Sequence, residues 1–178
     1  MTKPRNYYAL IAVVFSAVFL LTAFLDGCTQ SPLSSESQKR LSVQYADWFT
    51  DAMGHQQAMA EQKKRQTPVI VYFYADWCPH CKVFSATILS NTLVNQFLAQ
   101  YPHVKIAPDN GKLETELAES YKLVSFPTVF VVPPDAETVQ IKIPQLPQEA
   151  SQSPQGAKGT EEASKIFLKR LIAAIDRR

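Results

Sequence analysis

Two cysteines three residues apart, Cys78 and Cys81, enclose Pro79 and His80 and follow directly on Trp77. Cysteines at this spacing can open and close a disulfide when they lie on the first turn of a helix, because that turn brings them within bonding reach. The chemistry on offer is thiol–disulfide exchange, in which a thiolate attacks a disulfide sulfur and a second thiol resolves the mixed disulfide. At a helix N-terminus the Cys78 thiolate would be stabilised by unpaired backbone N–H groups and by the helix dipole. Pro79 suits an early helical position, where its missing N–H costs nothing. A protonated His80 would add a nearby positive charge that favours the thiolate further. Cys81, one turn deeper, is expected to be less exposed, so Cys78 is assigned as the attacking thiol and Cys81 as the resolving one.

Two other uses of the pair fail on inventory or energetics. A Cys-x-x-Cys pair is half of a structural zinc site, but there is no second such pair, and His55 and His103 stand alone in the chain, as expected of solvated surface residues. A purely structural bridge closing so short a loop would gain little chain entropy. The dithiol is therefore read as its own redox group, with no metal and no added cofactor expected.

The elements that must position this pair can be read from composition and periodicity. Trp48, Phe49, Ala52 and Met53 begin a helical pattern that runs from about Ala46 to Arg65 and ends in three basic residues, with Gly54 a weak point in its middle. Pro68 ends it, and Val69 to Tyr74 is an unbroken β-branched and aromatic run, suited to a central strand covered on both faces. The dithiol comes next, so the order is strand, short loop, Cys78, helix. Lys82 to Tyr101 carries apolar residues at helical intervals and predicts a long helix kinked near Ser90-Asn91. A short strand over Val104 to Ala107, a helix over Leu113 to Tyr121 and a buried strand over Thr128 to Val132 follow. Pro133-Pro134-Asp135 predicts a turn leading to an antiparallel partner over Thr138 to Ile143. Pro144 to Gly159 is rich in Pro, Gln, Ser and Gly and predicts a mobile loop. Glu161 to Ile175 closes the chain as an amphipathic helix with Ile166, Phe167, Leu171 and Ile175 on one face.

The N-terminus bears on compartment. Lys3 and Arg5 precede an uncharged run from Tyr7 to Leu25, which as a helix would reach about 28 Å and nearly span a bilayer core. The same run reads as a signal peptide, because Leu25-Asp26-Gly27-Cys28 follows it. That tetrapeptide resembles a bacterial lipoprotein box, with Leu25 and Gly27 of the expected types and Asp26 a departure. Lipidation of Cys28 and an uncleaved signal anchor stay open, with plain secretion a third course. In each, the positive-inside tendency keeps Lys3 and Arg5 cytoplasmic and exports the rest, to a periplasmic or extracytoplasmic site where disulfides persist. Residues 1–28 are thus expected to form the signal or anchor, 29–40 a Ser/Gln-rich tether and 41–178 one folded domain. With 18 basic and 16 acidic residues in the whole chain, the charge is balanced, which excludes the concentrated basic face of a nucleic-acid binder.

Ala75-Asp76-Trp77-Cys78-Pro79-His80-Cys81-Lys82 after a buried strand resembles the active-site segment of the thioredoxin superfamily, and Ser125-Phe126-Pro127-Thr128 resembles its cis-proline loop. The likeness is close over Val69 to Val132 and looser over Trp48 to Pro68 and Glu161 to Ile175. It implies an α/β fold, a thioredoxin-like three-layer sandwich with a central mixed β-sheet flanked by helices. It also implies that Phe126, beside Pro127, offers its backbone to an extended substrate peptide. The Cys-Pro-His-Cys sequence is similar to that of the disulfide-donating oxidase. The surroundings are more like small interchange domains, including the C-terminal domain of the transmembrane thiol:disulfide interchange protein, so a membrane-anchored, Dsb-like protein is expected. The interval from Cys81 to Pro127 leaves no room for the inserted helical domain of the large periplasmic oxidases. One departure stands out: the family places a buried acid six residues before its first active-site cysteine, and this chain has Tyr72 there. Lys105, in a segment similar to the family's third strand, is the candidate for handling the proton instead.

The resulting expectation is a protein-disulfide oxidoreductase acting on exported protein thiols and disulfides, with a membrane redox partner. Its direction, oxidation, reduction or isomerisation, is left open. Two alternatives are a peptide-binding or chaperone module whose dithiol senses redox state, and a thiol reductant in cytochrome c assembly.

Overall fold

The computed structural model describes residues 47–146 and 154–177. The signal or anchor, Cys28, the tether and part of the Pro/Gln-rich stretch, all read from sequence above, lie outside the described residues.

The run Val69–Phe73 forms a strand, β2, with every residue buried. Its β-branched and aromatic side chains have core on both faces, as a central strand requires. Around it the sheet has five strands in the order β1, β3, β2, β4, β5, where β1 is Phe49–Thr50, β3 His103–Ile106, β4 Thr128–Val132 and β5 Val139–Ile141. β3 runs parallel to both β1 and β2, while β4 is antiparallel to β2 and β5 to β4. The sheet is mixed, and helices cover both faces.

Alternation along β2 divides the core. Ile70 and Tyr72 face a cluster with Phe84, Ile88, Val94, Leu98, Phe167 and Leu171. These come from α2 (Pro79–Phe84), a π-helical turn (Ser85–Leu89), α3 (Thr92–Leu98) and the last helix, α5 (Pro154–Ile175). Val69, Val71 and Phe73 face the other way, with Val104, Ile106, Phe130, Ala58 and Ala118, the two alanines coming from α1 (Asp51–Arg65) and α4 (Lys112–Ser120). This is the α/β three-layer sandwich of the thioredoxin fold.

Several local expectations are corrected. The first helix begins at Asp51 rather than near Ala46, because Phe49 and Thr50 pair with Val104 and Lys105 as an edge strand. Its N-terminus is capped from a distance: the Ala52 amide donates to Glu114 Oε1 at 2.9 Å. Gly54 does not break the helix. It is buried, and a Cβ there would lie 2.9 Å from the Phe49 carbonyl carbon, so glycine marks the close approach of strand and helix. The long helix after the dithiol does divide near Ser90 and Asn91: Asn91 Oδ1 accepts from the Leu93 and Val94 amides and starts α3 afresh. The last helix starts at Pro154, inside the stretch read as loop. On it Ala163, Phe167, Leu171 and Ala174 are buried, while Ile166 faces outward.

His55 and His103 are not solvated surface residues. His103 is 3% exposed, its Nδ1 donates to the Tyr101 carbonyl at 2.8 Å, and its ring meets Trp48 edge-on at 4.6 Å. His55 lies 2.9 Å from the Tyr121 hydroxyl. Burial holds both imidazoles below their ordinary value of 6.5, and it raises the Tyr121 phenol to about 12.

Candidate active site

Beyond the C-terminal end of β2 the chain leaves the sheet and turns through Tyr74 to Trp77 into α2. Cys78 is the N-cap of that helix and Pro79 lies on its first turn. Cys78 and Cys81 are disulfide-bonded, with their Cα atoms 5.3 Å apart. The Cys81 amide donates to Cys78 Sγ at 3.1 Å, so one of the helix's unpaired N–H groups already points at the sulfur that would carry negative charge after reduction. Both cysteines are buried, Cys81 at 2% exposure and Cys78 at 4%, against Ala75, Tyr74 and Phe126. His80 and Pro79 are exposed beside them.

The second arm of the site is the loop between α4 and β4. Its Phe126–Pro127 peptide is cis. Between the arms lies a groove of about 460 Å³ lined by Trp77, Cys78, Pro79 and His80 on one side and Leu123, Val124, Ser125 and Phe126 on the other. Trp77 meets Phe126 edge-on at 5.9 Å. Val124 is 86% exposed. The cleft is mostly apolar and has Cys78, one half of the disulfide, in its lining.

The structure thus brings Trp77, Cys78, Pro79, His80 and Phe126 around one groove, with Cys81 joined to Cys78 by the disulfide and Pro127 joined to Phe126 by the cis peptide. Lys105 is not among the groove's lining residues; it lies on β3, paired with Tyr72 in the register, and is partly exposed. Two contributors, Asp109 and Ser85, escaped the sequence reading, and Tyr72 was marked there only as standing where the family has an acid. Asp109, in the 3-10 turn Pro108–Asn110, accepts a 2.6 Å bond from Trp77 Nε1. Tyr72 donates to the Cys81 carbonyl at 3.5 Å, and Ser85 lies 3.2 Å from the same phenol oxygen. Their contacts join positions far apart in sequence or on different elements, which no periodicity or spacing marks.

Comparison with known proteins agrees with this geometry. A thioredoxin-like family model matches residues 49–134. A protein disulfide-isomerase of Schizosaccharomyces pombe is 32% identical over 85 residues, covering 48% of this chain and 22% of that protein. A protein disulfide-isomerase of Drosophila melanogaster is 34% identical over 61 residues, covering 34% and 12%. The chain therefore spans less than a quarter of the length of either relative. Among solved structures, the oxidised C-terminal domain of DsbD from Neisseria meningitidis is 31% identical, covering 52% of this chain and 83% of that one, with a TM-score of 0.46. The matched stretch runs from the first residue of β1 past the end of β4 and contains both arms of the groove, so the part of the chain that carries the site is thioredoxin-like.

Proposed function

We propose that this protein is a thiol–disulfide oxidoreductase that exchanges disulfides with exported proteins, with Cys78 as the attacking thiol and Cys81 as the resolving one. The observation that carries this reading is the position of Cys78 Sγ: at the N-cap of α2, accepting the Cys81 amide, with Cys78 in the lining of a groove of about 460 Å³. In the reducing direction the Cys78 thiolate attacks a substrate disulfide and one substrate sulfur leaves as thiolate. The Cys81 thiolate then attacks Cys78 Sγ, the Cys78–substrate bond breaks, and the second substrate sulfur leaves. Two electrons pass from the dithiol to the substrate, and the oxidising direction is the reverse. Trp77, Val124 and Phe126 supply apolar contact, and the backbone beside Pro127 holds the peptide extended.

In the same reading the protein works outside the cytoplasm, held at the membrane by its N-terminal segment, through lipid on Cys28 or through the uncleaved Tyr7 to Leu25 run. A membrane redox partner resets the dithiol.

Cys81→Ser should accumulate a mixed disulfide with substrate proteins, and Cys78→Ser should not. Equal trapping by both variants removes the role assignment, and trapping by neither removes the exchange function. Labelled palmitate incorporated by the parent and lost in Cys28→Ala would support lipidation, and membrane retention without label the uncleaved segment.

A further inference from the structure

A second cavity, of about 530 Å³, lies at the pole of the sheet away from the dithiol. The α1–β2, α3–β3 and β4–β5 connections meet there with the end of α5. Pro68, in its lining, directly precedes β2, whereas Cys78 lies past the other end of that strand. The five residues of β2 alone span about 17 Å at roughly 3.4 Å each, so the cavity and the groove can be occupied together.

The floor of the cavity is apolar. Pro133 is buried there, and Pro68, Pro134, Tyr101 and Ile175 are half-buried around it. The polar groups left at the rim are chiefly acceptors. The three prolines have no N–H to give. Gln66 and Gln100 each turn the side-chain nitrogen onto a carbonyl of the helix before them, that of Lys63 at 3.0 Å and of Gln96 at 3.3 Å, which leaves their amide oxygens as acceptors. Asp135 and Asp176 are exposed and make no ion pair among the described residues. Arg177 is the one cationic side chain in the lining, so carboxylates are in excess.

An apolar floor ringed by acceptors fits a ligand with an apolar body and a donor-rich cation. Arginine supplies that cation, with five N–H donors in a planar fork that suits carboxylate oxygens and a flat face that stacks on an aromatic ring such as that of Tyr101. The volume lies in the range of about 300–1,000 Å³ usual for binding pockets, which is room for more than one side chain. Proline-rich extended segments dock on aromatic-lined surfaces of this kind. We propose that this cavity binds an arginine carried on an extended, proline-rich segment of a partner protein. Asp135 and Asp176 hold the guanidinium, the flanking residues lie on the proline floor, and Arg177 disfavours a second cation. A partner held here stays beside the protein while a substrate occupies the groove, and the site does not depend on exchange at the dithiol.

The test is fluorescence anisotropy of a fluorescein-labelled peptide of prolines around a single arginine, without cysteine, titrated with the full-length chain in detergent. The peptide should bind, and the same peptide with glutamate in place of arginine should not. Asp135→Asn combined with Asp176→Asn should weaken binding about tenfold, two exposed ion pairs being lost together, without moving the thermal midpoint. Ala136→Trp, which fills the cavity from its exposed rim, should abolish binding. Cys78→Ser combined with Cys81→Ser should bind as the parent does. No binding by the parent, equal binding of the glutamate peptide, or unchanged affinity in either cavity variant would overturn the proposal. Loss of binding in the cysteine variant would overturn it too, by placing the peptide in the dithiol groove. Displacement of the peptide by arginine amide at equal concentration would overturn it in favour of a small guanidinium ligand.

Discussion

Trp77, 67% exposed, is tied through Nε1 to Asp109 Oδ2 at 2.6 Å, so the turn after β3 holds the loop that delivers Cys78 to its helix. The neighbouring Asn110 donates to Asp51 Oδ1 at 3.1 Å, which joins the same turn to the start of α1. Both anchors lie on loops, yet they connect the groove to two separate elements of the scaffold.

Asp109→Ala should release the indole from its place over the groove. Because the bond is exposed, stability should fall by only about 0.5–1.5 kcal/mol, while KM for a peptide disulfide rises more than kcat falls. Asp109→Asn keeps an acceptor oxygen and should restore most of the loss. Thermal unfolding and steady-state kinetics on the two variants check this, and equal behaviour of Ala and Asn would count against the bond.

Gly54→Ala separates helix propensity from packing. Alanine in a helix interior gains about 1 kcal/mol over glycine, but here its Cβ would sit 2.9 Å from Phe49 backbone and 3.0 Å from Phe49 Cβ. Backbone cannot swing aside as a flexible side chain can, so overpacking by about 1–3 kcal/mol should win. Urea denaturation should show net destabilisation, and a stabilised variant would mean that β1 is free to move away.

Stability should also fall as the medium becomes acidic, through His55 and His103. Burial holds both imidazoles below 6.5, so the unfolded chain binds protons more readily than the folded one. Stability is then fully present above about pH 6.5 and is lost as pH falls from there toward the lowered folded values. Thermal midpoints from pH 7.5 to pH 5 should decline, and His55→Gln or His103→Gln should flatten part of the slope even where it lowers stability overall.

Fold and site were legible to different depths. Val69 to Phe73 could be read as a central strand because five consecutive apolar residues leave no face for water, and the dithiol could be placed because strand and helix signals flank it. Phe126 and Pro127 came from resemblance, since one proline before an apolar run has many uses. β1 was hidden: two residues are too short for a period, and their strand character comes from pairing with Val104 and Lys105. The burial of His103 was hidden for a similar reason, because it depends on Trp48, which reaches it only once β1 and β3 lie side by side. The π turn over Ser85–Leu89 keeps nearly the same apolar spacing as an α-helix, yet it carries Ser85, which meets Tyr72.

The last prediction concerns the potential of the Cys78/Cys81 couple. A dithiol is more oxidising when its reduced form is stabilised, and here the Cys78 thiolate gains the Cys81 amide at 3.1 Å and the start of α2. Reduced Cys78 should therefore titrate below the ~8.5 of a free thiol. His80, exposed on the first turn beside it, adds positive charge whenever its ring is protonated. His80→Ala should raise the Cys78 value and make the couple more reducing, by about 30 mV for each 1.4 kcal/mol of stabilisation lost. Because the imidazole faces solvent, the shift should stay at or below that size and shrink in ~1 M salt, where the screening length is only about 3 Å. Thiolate absorbance against pH and equilibration with glutathione, for the parent and His80→Ala at two salt concentrations, measure both quantities. If both proteins titrate as free cysteine does, the helix start is not stabilising the thiolate, and a reductive role fed by an electron-donating membrane partner becomes the better account of the dithiol.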